Sequence, residues 1–289
     1  QRPAQLEREQ ASRFLHDLLR LMVSKNGSDL FITAEFPPAF KVDGKLVPVS
    51  NVPLTSQHTT ELARALMNDR QAGEFEAKKE LNFAISPSGI GRFRVNAFTQ
   101  MGRTGVVLRV IQSKIPQFDE LNLPPVMADL SMTKRGLIIM VGATGSGKST
   151  TLAAMVNHVN ENEYGHILTI EDPIEFMHNN KSSTVSQREL NTDTKEFGRA
   201  LRSAMRQDPD VILIGEIRDA VTMQTALQAA ETGHLVLASL HAKTVVDAIN
   251  RVIDIFPPEE QRQARFSIAE SLQGVLCQHL VKSARSDGR

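Results

Sequence analysis

Apolar residues in QLEREQASRFLHDLLRLMVSK (5–25) fall at Phe14, Leu15, Leu18, Leu19, Met22 and Val23, the spacing of one helix face. DLFITA (29–34) and FKVDGKLVPV (40–49) read as strands, the second as a hairpin turning at Asp43-Gly44. TSQHTTELARALMND (55–69) returns to the helical period, with Thr55 or Ser56 as its cap. LNFAIS (81–86), GRFRVNAFTQ (91–100) and TGVVLRVI (104–111) add three strands. Residues 1–111 therefore predict an α+β domain dominated by hairpins.

The proline-bearing, polar stretch IPQFDELNLPP (115–125) marks a change of pattern, and 112–125 reads as a linker. Beyond it, GLIIMV (136–141), HILTIE (166–171), DVILIG (210–215) and LVLASL (235–240) are short, continuously apolar runs. Helical patterns at 149–160, 194–206, 219–231 and 244–253 lie among them. Apolar strands alternating with helices predict a mainly parallel sheet covered on both faces over 126–289, with its ligand at the carboxyl ends of the strands.

The loop GATGSGKS directly follows the first of these strands and precedes a helix: Gly142, Ala143, Thr144, Gly145, Ser146, Gly147, Lys148, Ser149, then Thr150. It matches G-x-x-x-x-G-K-[ST] at every fixed position and in the required strand–loop–helix context. Glycines let backbone N–H groups turn inward around phosphates, and the helix N-terminus adds favourable partial charge. Lys148 is expected to neutralise the β- and γ-phosphates of ATP, and Ser149 to offer its hydroxyl to Mg²⁺.

Composition changes this picture little. Of 289 residues 41% are hydrophobic, enough for a sizeable core. Lys+Arg 33 against Asp+Glu 33 argues against sequence-independent nucleic-acid affinity, so no direct nucleic-acid partner is expected. The single cysteine, Cys277, excludes an intrachain disulfide and reads as a small core residue. No signal peptide or membrane span is read. The chain starts with Gln and ends in polar SARSDGR (283–289), so both ends are read as cut.

Three carboxylates follow one apolar strand in EDPIE (171–175), where Pro173 forces a turn. A carboxylate here could orient water against a γ-phosphate or hold Mg²⁺; a solvated acidic turn is the alternative. In DPDVILIGEIRD (208–219) a strand again ends in a carboxylate, Glu216, expected at Mg²⁺. The usual Asp before it is replaced by Gly215, and Arg218 and Asp219 read as local pairing or the next helix start. His234 and His241 bracket LVLASL; seven residues apart on a straight strand, they cannot share one metal. Arg94 and Arg109 alternate with apolar residues on two N-terminal strands. They read as a charged sheet face, or as arginines offered to phosphates of a neighbouring subunit.

GATGSGKST, EDPIEF, QDPDVILIGEIRD and AETGHLVLASLH together closely resemble the type II/type IV secretion ATPase superfamily, and within it the PilT/PilU group of type IV pilus retraction motors. FIT (31–33) and TKRGLIIMVGATG (133–145) lean toward the PilU branch. The resemblance extends from about residue 14 to about 282. It implies an α/β chain: a PAS-like N-terminal domain, then a RecA-like P-loop domain. It implies that Lys148 is the Walker A lysine, Glu175 the general base, Glu216 the Walker B carboxylate, His234 and His241 the His-box residues, and Arg94 and Arg109 arginines that reach a site. It implies a homohexamer using ATP and Mg²⁺, cytoplasmic and peripheral to the inner membrane at the pilus base. Its partners would be an inner-membrane pilus platform protein and a second retraction ATPase ring. Such motors carry a further C-terminal helical region that this sequence lacks, so a truncated form is expected. An accessory ring dependent on a partner motor, and a type IV secretion (DNA-transfer) ATPase, are the competing readings.

Overall fold

The structure, a computed structural model, describes residues 2–281; the polar end from 282 lies outside them. The chain divides into two compact units, Gln1–Gln112 and Ser113–Arg289.

In the first unit the order is α1 (Arg2–Ser24), β1 (Asp29–Ile32), β2 (Ala39–Val42), β3 (Lys45–Pro48), α2 (Ser56–Leu66), α3 (Asp69–Lys78), β4 (Glu80–Ile85), β5 (Arg92–Gln100) and β6 (Arg103–Ile111). One antiparallel sheet runs β3-β2-β1-β6-β5-β4. The β2–β3 turn falls at Asp43-Gly44, both with positive φ, the geometry a two-residue hairpin requires. Leu15, Leu18, Leu19 and Met22 of α1 pack with Leu62 of α2 on Leu30, Phe93, Val95 and Leu108 of the sheet. Thr55 caps α2, accepting from the His58 N–H, as its position in the pattern predicts. The pattern did not predict α3. Its sequence, DRQAGEFEAK, is polar, and the helix is set instead by Asn68, which accepts from the Gln71 N–H while the Gln71 side chain accepts from the Asn68 N–H.

The second unit holds α4 (Val126–Ser131), β7 (Gly136–Val141), α5 (Lys148–Asn162), β8 (His166–Glu171), β9 (Thr184–Glu189), α6 (Phe197–Ala204), β10 (Val211–Ile214), α7 (Ala220–Glu231), β11 (Leu235–Leu240), α8 (Val245–Asp254), α9 (Gln261–Ser271) and β12 (Leu272–Cys277). Its sheet, β12-β7-β11-β10-β8-β9, is parallel at every pairing. Continuous apolar strands follow from burial on both faces. Leu137, Ile139 and Val141 face a core shared with α6, α7, α8 and α9, whereas Ile138 and Met140 face Leu152, Met155 and Val156 of α5. Of the segment expected to link the domains, Phe118 and Leu123 pack onto this second core. Strands β9 and β12 escaped the apolar pattern because they are the two sheet edges. The first is polar (TVSQRE) and the second carries Gly274 and a register shift. Helix α6 starts at Phe197, not near 194, because residues 190–194 form a turn in which Leu190 bridges to Thr194.

The register decides what meets what. Val141 lies level with Leu240 on one side and Cys277 on the other. Ile214 lies level with Ala238 and Ile170. Residues just past each strand end, 142–149, 171–175, 215–216, 241 and 278, therefore emerge along one edge of the sheet.

Candidate active site

A cavity of about 480 Å³ opens at that edge, lined by Thr144, Gly145, Gly147, Lys148, Ser149 and Thr150 of the loop, by Glu171 and Glu175, and by Glu216 and His241. Gly147 is the N-cap of α5 at φ +92°, a backbone that side chains rarely adopt, and no side chain caps the helix. The first-turn N–H groups are thus left for a ligand, an anion site by construction. The Ser146 hydroxyl in the same loop is buried without a partner. Lys148 Nζ folds over the loop and donates to the carbonyls of Gly142 (2.8 Å) and Ala143 (2.9 Å). Burial holds its ammonium below the usual range, opposed by the charges of Glu216 and Glu175.

The Glu216 carboxylate is held from both sides. Arg218 Nε donates to Oε2 at 2.6 Å, and His241 Nε2 lies 3.0 Å from Oε1. Arg218 also reaches Asp172 at 3.3 Å, so it ties the two acidic segments together. Asp219 caps α7, accepting from the Thr222 N–H at 2.8 Å. Gly215 explains the missing Asp before Glu216: a Cβ there would lie 3.2 Å from Glu171 Cα and 3.3 Å from the Ile170 carbonyl oxygen. A side chain there would require the β8 backbone to give by a few tenths of an ångström, so glycine suits the close approach of β8 and β10.

Glu175 is exposed at the cavity rim, whereas Glu171 is partly buried behind it. Glu171 Oε2 accepts from Thr169 Oγ1 (2.7 Å) and Gln187 Nε2 (3.1 Å). Burial nevertheless pushes its carboxyl up to about 7. The Gln187 side chain accepts from the backbone N–H of His178, a buried residue that also lines the cavity. Burial, with Lys181 nearby, pushes the His178 imidazole down to about 4. Neither Gln187 nor His178 was singled out from the sequence, because a glutamine on a polar edge strand and a lone histidine carry no motif.

His234 does not join the cavity. It sits at the amino end of β11, about 20 Å of strand from His241. There its Nδ1 lies 2.9 Å from the Ala229 carbonyl oxygen and its N–H donates to the same oxygen at 3.2 Å. Within one chain it closes the α7–β11 turn.

Arg94 and Arg109 lie in the first unit, directly opposite each other on β5 and β6. Two like charges so placed repel. Asp29, opposite Arg109 on β1, offsets this: Arg109 Nε donates to its buried carboxylate at 2.7 Å. The contact orients the Arg109 guanidinium while 62% of its side chain stays exposed.

The family model described as type II/IV secretion system protein matches residues 4–289. The chain is 49% identical over 272 residues to the type IV pilus ATPase PilU of Pseudomonas aeruginosa, spanning 94% of this chain and 71% of that protein. It is 47% identical over 266 residues to the type IV pilus retractation ATPase PilT of the same organism, spanning 92% and 77%. Among solved structures, the pilus retraction motor PilT with bound ADP superposes at a TM-score of 0.89 and 41% identity, over 95% of this chain and 80% of that one.

Proposed function

The chain belongs to the type II/IV secretion system protein family, and from that premise we propose that it hydrolyses ATP to power type IV pilus retraction, and so twitching motility, as a homohexameric ring. The observation that carries this reading is the convergence of Lys148, Glu175, Glu216 and His241 on one cavity at the carboxyl edge of the parallel sheet.

Each residue takes a role its position supports. The loop N–H groups of 142–149 and the α5 terminus receive the phosphates, and Lys148 exchanges its two loop carbonyls for phosphate oxygens. Glu175, exposed at the rim, takes a proton from the attacking water as the water oxygen bonds to the γ-phosphorus and the bond to ADP breaks. Ser149 and Glu216 would hold Mg²⁺. That donor set is one hydroxyl and one carboxylate, and the described residues contain no cluster of three or more acidic, His or Cys side chains suited to a metal. Such sparse ligation fits Mg²⁺, which keeps waters and binds substrate phosphates. When bound, the ion neutralises charge developing on the phosphate oxygens. His241 steadies Glu216. Arg94 and Arg109 reach the phosphates of a neighbouring subunit, as an arginine supplied in trans does in other phosphoryl-transfer enzymes. None of the described helices is long and apolar enough to cross a membrane. Work on a pilus then runs through a membrane platform protein that this ring contacts from the cytoplasmic side.

The test is nucleotide binding and steady-state turnover in two variants. Lys148→Ala should lose ATPase activity by orders of magnitude, since electrostatic stabilisation is usually the largest catalytic contribution. Glu175→Gln should bind ATP but not turn it over. Full activity in Lys148→Ala overturns the site, and normal turnover in Glu175→Gln reduces EDPIE to a structural turn.

A further inference from the structure

Gln278 follows β12 and touches the phosphate loop on three sides. Its backbone N–H donates to the Val141 carbonyl at 2.9 Å, the last residue before the loop. Its side-chain Oε1 accepts from Thr151 Oγ1 at 2.7 Å, in the first turn of α5. Its Nε2 fills the space beside Gly147, where an added Cβ would come within 2.7 Å, and its carbonyl oxygen lies 2.5 Å from where a Cβ on Gly142 would sit. Thr151 is itself buried and its N–H donates to the Gly147 carbonyl at 3.0 Å, so the residue Gln278 holds is part of the loop's own exit turn.

We propose that Gln278 is a positioning residue for nucleotide binding: placed just past an edge strand, it braces the start, the exit and the first helical turn of the phosphate loop, and restricts the loop's conformations before nucleotide arrives. The physical reason is preorganisation. A glycine-rich loop has many backbone conformations, and ordering them at the moment of binding weakens affinity. A strut anchored in the sheet removes part of that cost in the free protein. The small residues at 142 and 147 then have a second reason besides backbone conformation, because Gln278 occupies the volume where their side chains would be.

The inference rests on 142–149 being the nucleotide site. It is tested with the full chain, using a fluorescent ADP analogue for affinity and thermal melts without nucleotide for stability. Gln278→Ala, which removes bond and bulk, should weaken ADP binding on the order of tenfold, the effect of one buried hydrogen bond. Gln278→Met keeps the bulk and should lose less. Melting without nucleotide should fall modestly in Gln278→Ala, because the bond is present in the free protein too, and less in Gln278→Met. In a cycle with Thr151→Val, the Thr151/Gln278 double variant should bind about as weakly as the worse single one. Wild-type affinity in Gln278→Ala, strict additivity with Thr151→Val, or equal loss of affinity in Gln278→Ala and Gln278→Met would each overturn the positioning role. Lys148→Ala serves as control. If it binds the analogue normally, the site assignment itself has failed, which is a separate result.

Discussion

The Gln187 carboxamide donates to the Glu171 carboxylate and accepts from the His178 backbone N–H, and burial of the Glu171 carboxyl and of the His178 imidazole should make their protonation oppose each other across the acid range. Glu171 is pushed from its ordinary 4.5 up to about 7. Between those values the unfolded chain has lost this proton and the folded chain has kept it. Stability from Glu171 is therefore full below about pH 4.5 and is lost as pH rises toward 7, at up to about 1.4 kcal/mol per pH unit and roughly 3 kcal/mol in all. His178 is pushed from 6.5 down to about 4. Here the unfolded chain gains a proton that the folded chain refuses, so stability is lost as pH falls from 6.5 to 4, by a similar amount. In the native protein the two slopes nearly cancel between about pH 4.5 and 6.5. Removing one partner exposes the other. Relative to wild type, Glu171→Gln should become less stable by roughly 2–3 kcal/mol as pH falls from 6.5 to 4.5, and His178→Leu should become more stable by about as much. The chain has no Trp and one Tyr, so urea unfolding is best followed by far-UV circular dichroism. The transition belonging to the second unit is the one that ADP moves upward. Differences from wild type at each pH remove the slope common to exposed groups. If the two variants drift in the same direction, or neither drifts, burial is not what sets these two groups.

Two further outcomes follow from contacts at the site. Gly215→Asp, which restores the usual acid before Glu216, should destabilise the second unit by about 1–3 kcal/mol, read as a lower midpoint of its ADP-sensitive transition, because the new Cβ meets the Glu171 and Ile170 backbone. Arg109→Ala should abolish turnover, and mixing it with Lys148→Ala under confirmed subunit exchange should restore part of it; Arg109→Ala with wild-type turnover would leave that residue only its pairing with Asp29.

Where burial writes the sequence, the fold could be read directly. GLIIMV is apolar throughout and LVLASL at every position but Ser239 because both their faces are covered, and the amphipathic stripe of α1 exists because one face is. Edge strands and polar helices obey other rules. TVSQRE pairs with β8 through its backbone, which needs no apolar side chains, and α3 is fixed by the cap at Asn68. Those elements were missed for that reason.

The site divides along the same line. The phosphate loop was legible because its chemistry is contiguous: glycines, Lys148 and Ser149 must follow one another for a single turn to hold phosphates. Glu216 was legible because it stands two residues past the apolar strand β10, and parallel strands deliver their carboxyl ends to one edge; Glu175, four residues past the end of β8, was singled out through the family resemblance rather than by strand position. His241 is reached by the same rule, whereas His234, at the other end of the same strand, fails it; the sequence pairs the two histidines and the direction of β11 separates them. What no pattern predicts is support arriving from distant segments. Gln187 comes from an edge strand and Gln278 from beyond β12, 127 residues after its partner Thr151. Their contribution depends on which strand ends up beside which, and that order, β12-β7-β11-β10-β8-β9, follows from helix packing on both faces and is absent from local spacing. A motif therefore locates the chemistry in such a sheet, while the residues that hold it in place are set by topology.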